Sequence, residues 1–160
     1  MRLRDSQRSK LYAWENRECD ALRFRSTDCV PTMELREIKK LVTKVARDYG
    51  LTKRKVLVKD GRGRRNACYS HYERAIKLPI WSRRPVVVLH ELAHWITRVM
   101  SGRDYAAHGR EFTGIFMELL RRYNGEDLAA MQESANRVRL DFIPNSQSTA
   151  RSLKKKDGLG

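Results

Sequence analysis

Apolar residues recur along the chain with two periods, and the changes between them divide it into helical and extended stretches. Leu11, Trp14, Cys19 and Leu22 form a partial stripe, interrupted by Glu15 and Glu18. They predict a first helix to about Arg23, with Asp5 or Ser6 as its cap. Residues 26–31 read as a connection. Thr32 then caps a clearer helix, with Leu35, Ile38, Val42, Val45, Ala46 and Tyr49 on one face and Gly50 past its end. That stripe is the ordinary signature of core packing. The period next falls to two. Residues 55–59, 66–72 and 75–78 read as three short strands of a small antiparallel sheet, with a turn at 60–63, a second around Glu73-Arg74, and Pro79 ending the pairing.

Helical spacing returns at Pro85 and runs to Gly102, a start and stop that suit a helix. Residues 103–108 form a loop. Gly109 opens another helix to about Tyr123, burying Phe112, Ile115, Phe116, Leu119 and Leu120. Asn124-Gly125 breaks it, and residues 126–138 predict a last helix. From Asn145 onward the chain is rich in Ser, Gln, Thr, Lys and Gly and reads as a basic, disordered tail. The pattern is α+β, with a helical extension over 1–31, a domain over 32–144 and a tail over 145–160.

The helix at 85–102 carries chemistry as well as packing. At 100° per residue, His90 and His94 lie about 40° apart on one face, with Glu91 about 60° beyond. Leu89, Leu92, Ala93, Ile96 and Met100 fill the opposite arc. Two imidazoles one turn apart with a carboxylate beside them are what a zinc hydrolase needs of a helix. The bland alternative is a pair of surface histidines on an ordinary amphipathic helix. A catalytic zinc takes three protein ligands and leaves one position open. A metzincin pattern would require Gly at 97 and His at 100, where this chain has Thr97 and Met100, so that class is excluded. Glu111, Glu118 and His108 remain as third ligands. Local chemistry favours His108, an imidazole just ahead of a helix start.

Composition changes the picture in one respect. The 160 residues carry a formal charge of +15 with 41% hydrophobic content, enough for one modest core. Residues 51–85 hold eleven Lys and Arg against Asp60 and Glu73, a net of 11 − 2 = +9. Such a bias attracts polyanions, nucleic acid first among them. Arg62, Arg64, Arg65, Lys154, Lys155 and Lys156 are the candidate contacts, with Tyr69 and Tyr72 near the arginines as stacking surfaces. Charge that only keeps the protein soluble, and tyrosines that only pack on a sheet, explain the same residues. His71, a lone histidine among those tyrosines, reads as structural. Cys19, Cys29 and Cys68 form no C-x-x-C pair and suggest neither a disulfide framework nor a zinc ribbon. The basic start lacks a following apolar segment, and no run reaches the ~18–20 residues of a membrane span. The expectation is a cytoplasmic protein that does not contact membrane.

His90-Glu91-Leu92-Ala93-His94, followed by His108-Gly109-Arg110-Glu111-Phe112, resembles the SprT-like zinc metalloprotease family, which pairs H-E-x-x-H with a later H-G-x-x-[FW]. Ile76-Lys77-Leu78-Pro79 leading into the helix also fits, and the likeness spans about 32–123. Residues 4–12 are similar to the opening of a subset of small bacterial and phage metallohydrolases without assigned substrates. The resemblance implies a minimal zincin-like domain in which His90, His94 and His108 bind Zn2+ and Glu91 is the catalytic base. Water would then attack a peptide carbonyl, with Tyr105, Arg98 or Arg110 as candidate second oxyanion donors and an edge strand holding the peptide. Arg110 stands where the family often has Pro, and the paired cysteines of the C-terminal zinc ribbon found in several members are absent. The expected function is a zinc-dependent peptidase acting on protein or peptide, with DNA a further expected partner. A basic nucleic-acid-binding protein with a structural or vestigial zinc site, and a metallohydrolase of a non-protein amide, are the alternatives.

Overall fold

The computed structural model describes residues 5–18, 32–102 and 105–144. The expectations for residues 19–31, for Arg103 and Asp104, and for the tail with Lys154, Lys155 and Lys156 lie outside the described residues. In chain order the elements are α1 (Arg8–Glu18), α2 (Leu35–Asp48), β1 (Leu57–Asp60), β2 (Cys68–Ser70), β3 (Ala75–Leu78), a 3-10 turn (Ile80–Ser82), α3 (Pro85–Ser101), α4 (Arg110–Asn124) and α5 (Leu128–Arg137). The class is α+β. Among the described residues, no helix is long and apolar enough to cross a membrane.

The sheet is mixed, where the sequence predicts an antiparallel one. Its order is β1-β3-β2, with β1 parallel to β3 in the register Leu57 to Ala75 and β2 antiparallel to β3 in the register Tyr69 to Ile76. The reason lies in the link between β1 and β2. Residues 61–67 are too long for a tight hairpin and span two strand spacings of about 4.8 Å each. That leaves a slot for β3, which the tight turn at 71–74 folds back into place. The second strand also shrinks to Cys68–Ser70, since Arg64, Arg65 and Asn66 are exposed in the crossing.

α3 is the centre of the molecule. Pro85 fixes φ at its first position, and Arg84 before it is extended (φ −88°, ψ 145°), as a residue preceding proline prefers. Gly102 closes it at φ 71°, its N–H bonded to the Arg98 carbonyl. Val86, Val88, Leu89, Leu92, Ala93, Trp95 and Ile96 are all buried, and so are His90, Glu91 and Thr97 on the other arc. The helix is therefore covered on its chemical face too, unlike the one-sided helix its pattern suggests. α4 packs along it, and β2 and β3 lie against it.

Helix starts differ from the predicted caps where a better-placed acceptor exists. α2 begins after Glu34, whose N–H donates to the Glu37 carboxylate at 2.8 Å, rather than at Thr32. α5 begins after Asp127, whose carboxylate accepts the Ala130 N–H at 2.7 Å. α1 starts at Arg8, and the Asp5 carboxylate accepts from His108. Its Leu11 and Trp14 are fully buried, and the Trp14 indole donates to Ser134 Oγ of α5 at 2.8 Å.

After α5 the chain returns along α4, where the Ile143 N–H donates to the Arg110 carbonyl at 3.0 Å. A Cβ on Gly114 would sit 2.0 Å from the Ile143 carbonyl oxygen, so this helix position requires glycine for close approach. Gly114→Ala gains about 1 kcal/mol of helix propensity but must push backbone aside. We expect a net loss of about 1–3 kcal/mol, read as a melting temperature several degrees lower. An unchanged melting temperature would show that the returning segment yields freely.

Candidate metal centre

His90 and His94 are one turn apart on α3, and their ring centroids are 5.0 Å apart. His108 enters from the loop ahead of α4. Gly109, the N-cap, is extended (φ −75°, ψ −175°), and a Cβ there would press on Ala106 at 3.1 Å. This tight Ala106–Gly109 turn, with the Gly109 N–H on the Ala106 carbonyl at 2.9 Å, swings the His108 ring to 4.8 Å from His94 and 5.5 Å from His90. One ligand nitrogen from each of the three histidines lies within 4.8 Å of the others. Nitrogens sharing a tetrahedral zinc at ~2.1 Å are about 3.4 Å apart, so small side-chain rotations bring the set to one ion.

Hydrogen bonds orient two of these rings. Asp5 grips His108 twice, accepting from its backbone N–H at 3.2 Å and from Nδ1 at 2.7 Å. An ionised carboxylate only accepts, so His108 Nδ1 carries the proton and Nε2 keeps its lone pair. Glu15 does the same for His90, with Oε1 3.2 Å from Nδ1. A carboxylate behind each imidazole is the usual support of a metal-binding histidine. Glu15 is itself buried, and its Oε2 has no hydrogen-bond partner among the described residues. An uncompensated buried carboxylate oxygen is costly unless positive charge lies nearby. The donor set and this orphaned oxygen both fit a divalent cation.

Burial and neighbouring charges shift the four groups in different directions. Burial, reinforced by the neighbouring His90 and His108, holds His94 well below the usual histidine value. Burial also lowers His108, against the opposing pull of Asp5. Burial pushes His90 down as well, but Glu15 and Glu91 outweigh it and leave that ring above the ordinary value. Burial raises the Glu91 carboxyl, partly offset by His90 and by the Tyr69 N–H. That N–H, on β2, donates to Glu91 Oε2 at 2.7 Å. It points away from β3, so the Tyr69 carbonyl faces the same way and the outer edge of β2 borders the site.

The site opens into a cleft of about 770 Å³ in which His90 and Glu91 meet Tyr12, Glu15 and Trp81. Arg8, Arg64 and Arg65 line it too, and all three are exposed. Two of the three arginines proposed for nucleic acid thus belong to the histidine cleft. Arg62 does not line it and lies 3.6 Å from Asp60. Cys68 is a free, half-buried thiol on the cleft. His71 is exposed in the turn after β2, rather than in a strand, and accepts from Arg98 at 3.1 Å. Tyr72 is 97% exposed and packs on no sheet face.

The alternative third ligands are engaged elsewhere. Glu118 is buried but held by Arg121 at 2.8 Å and by Arg122 at 2.5 Å. Glu111 pairs with Arg110 at 3.3 Å. Sequence reasoning missed the contribution of α1. Arg8, Tyr12 and Glu15 recur at helical spacing, within about 60° of one another, and that polar stripe was the available signal. No family model, curated protein or solved structure matches this chain.

Proposed function

We propose that the chain is a metal-dependent hydrolase that cuts peptide bonds, with His90, His94 and His108 holding Zn2+ and Glu91 acting as general base. The observation that carries this reading is the convergence of three histidines from two elements beside a buried carboxylate. When bound, the ion supplies a Lewis acid that polarises a carbonyl and acidifies water. The chain's own residues do the rest. Glu91, fixed at one oxygen by the Tyr69 N–H, takes a proton from the attacking water and returns it to the leaving amine. The Tyr69 carbonyl, on the outer edge of β2, is placed to accept a hydrogen bond from an extended peptide. The burial of His90 and Glu91 beneath an open cleft lets substrate in while limiting bulk water around the base.

The test is metal analysis combined with hydrolysis of a mixed set of fluorescence-quenched peptides, with and without a chelator. About one equivalent of zinc per chain and chelator-sensitive cleavage are expected. A folded protein that takes up no divalent ion would remove the basis of the proposal.

A basic nucleic-acid-binding role is the second reading, favoured by the exposed Arg64 and Arg65 on the cleft. A metal of purely structural use has no need of Glu91 at the cleft. Binding of single-stranded DNA with a steep salt dependence, together with no peptide cleavage, would favour it.

A further inference from the structure

Among the polar groups of the cleft that the proposed mechanism leaves unused is the hydroxyl of Tyr12. It lies 3.4 Å from Nε2 of His108. Asp5 occupies Nδ1 of the same ring, so Nε2 is the nitrogen available to an ion, and the Tyr12 oxygen sits beside the place where chemistry would occur. At 3.4 Å that hydrogen bond is long and weak, and little is lost when the lone pair turns to a metal.

The ring is held while the hydroxyl is left accessible. Tyr12 stacks on His90 with centroids 5.5 Å apart and planes 17° from parallel. The Arg8 guanidinium lies 5.7 Å from the ring centre on the same helix. The residue is 38% exposed and lines the cleft. Other candidate donors are committed or distant: Arg98 donates to His71 at 3.1 Å, Arg110 to Glu111 at 3.3 Å, and Tyr105 does not line the cleft.

We propose that Tyr12 is a catalytic residue of this centre, donating a hydrogen bond to the oxygen of a carbonyl engaged there as that oxygen gains negative charge. The proposal rests on the hydrolase reading above. In the addition step the carbonyl carbon gains a bond to the water oxygen and the π pair moves onto the carbonyl oxygen. The water proton goes to Glu91. Tyr12 keeps its own proton and supplies only the hydrogen bond, so no further reactant is needed. A donor fixed before the reaction, in a site partly closed to water, is the usual means of stabilising such an oxygen.

The experiment needs no knowledge of the substrate. Wild-type, Tyr12→Phe and Glu91→Gln proteins are loaded with Co2+ and titrated with acetohydroxamate, an oxygen-donor probe that brings a polarised carbonyl to the metal. Tyr12→Phe should bind Co2+ as the wild type does and melt at the same temperature. It should hold acetohydroxamate about 10–100-fold less tightly, the scale of a hydrogen bond to a charged group. Equal affinity in wild type and Tyr12→Phe overturns the proposal. So does loss of Co2+ from Tyr12→Phe, which would make the hydroxyl a support of the ion. A cobalt-loaded wild type that ignores the probe overturns it as well. Failure in any of these ways, with chelator-sensitive peptide cleavage intact, leaves the hydrolase reading standing. Wild-type protein that takes up no Co2+ ends both.

Discussion

Glu91→Gln is expected to lower peptide hydrolysis by about 10²–10⁴-fold, the usual contribution of a positioned general base, while zinc content stays at the wild-type level. The substitution isolates proton transfer because it changes little else. Glutamine has nearly the same shape, and its amide oxygen can accept the Tyr69 N–H that now bonds Glu91 Oε2 at 2.7 Å. The three histidines and the carboxylates behind two of them are untouched. Steady-state cleavage of quenched peptides, alongside metal analysis of the same samples, separates the outcomes. A variant that keeps zinc and the full rate would show that Glu91 is not the base. A variant that loses zinc would make Glu91 a part of the metal site.

The second large effect concerns the carboxylates supplied by α1 and the residues just before it. Asp5→Asn and Glu15→Gln should each weaken zinc binding by about 10–100-fold, the range found when a carboxylate behind a metal-bound histidine is removed. The amides retain size but lose charge, and either can turn its NH2 toward Nδ1 and favour the wrong imidazole tautomer. Glu15→Gln also removes the negative charge from a buried group whose Oε2 has no partner among the described residues, which offsets the cost of an unpaired amide, so the apo protein should lose little stability from it. Asp5 and Glu15 act on different rings but share one ion, so their effects need not add in the double variant. Competition against a chelator of known affinity measures each step. Unchanged affinity in both single variants would mean that these contacts only pack α1 in place.

Much of the candidate metal centre follows from local signals in the sequence. The bounds of α3 can be read because Pro85, the apolar spacing and Gly102 agree. The choice of His108 can be read because an imidazole followed by a helix-opening glycine is a local pattern. Two features could not be read this way. The parallel pairing of β1 with β3 depends on where a seven-residue crossing lands, and strand composition carries no information about that. Asp5 reads as a helix cap, and Glu15 as a flaw in an apolar stripe, because their partners are 103 and 75 positions away. A buried carboxylate at helical spacing from buried Leu11 and Trp14 leaves no periodic trace of the imidazole it meets.

The distance along the chain between Asp5 and His108 also sets an order of events during synthesis. The helix bearing Tyr12 and Glu15 is made early, the α3 histidines much later, and His108 and the turn that aims it last of the set. Until that turn has emerged, the growing chain has at most two of the three imidazoles and no fixed Nε2 at the third position. An interrupted or partly made chain therefore has no complete histidine set, and the proposed site is assembled only when the two ends of the fold meet.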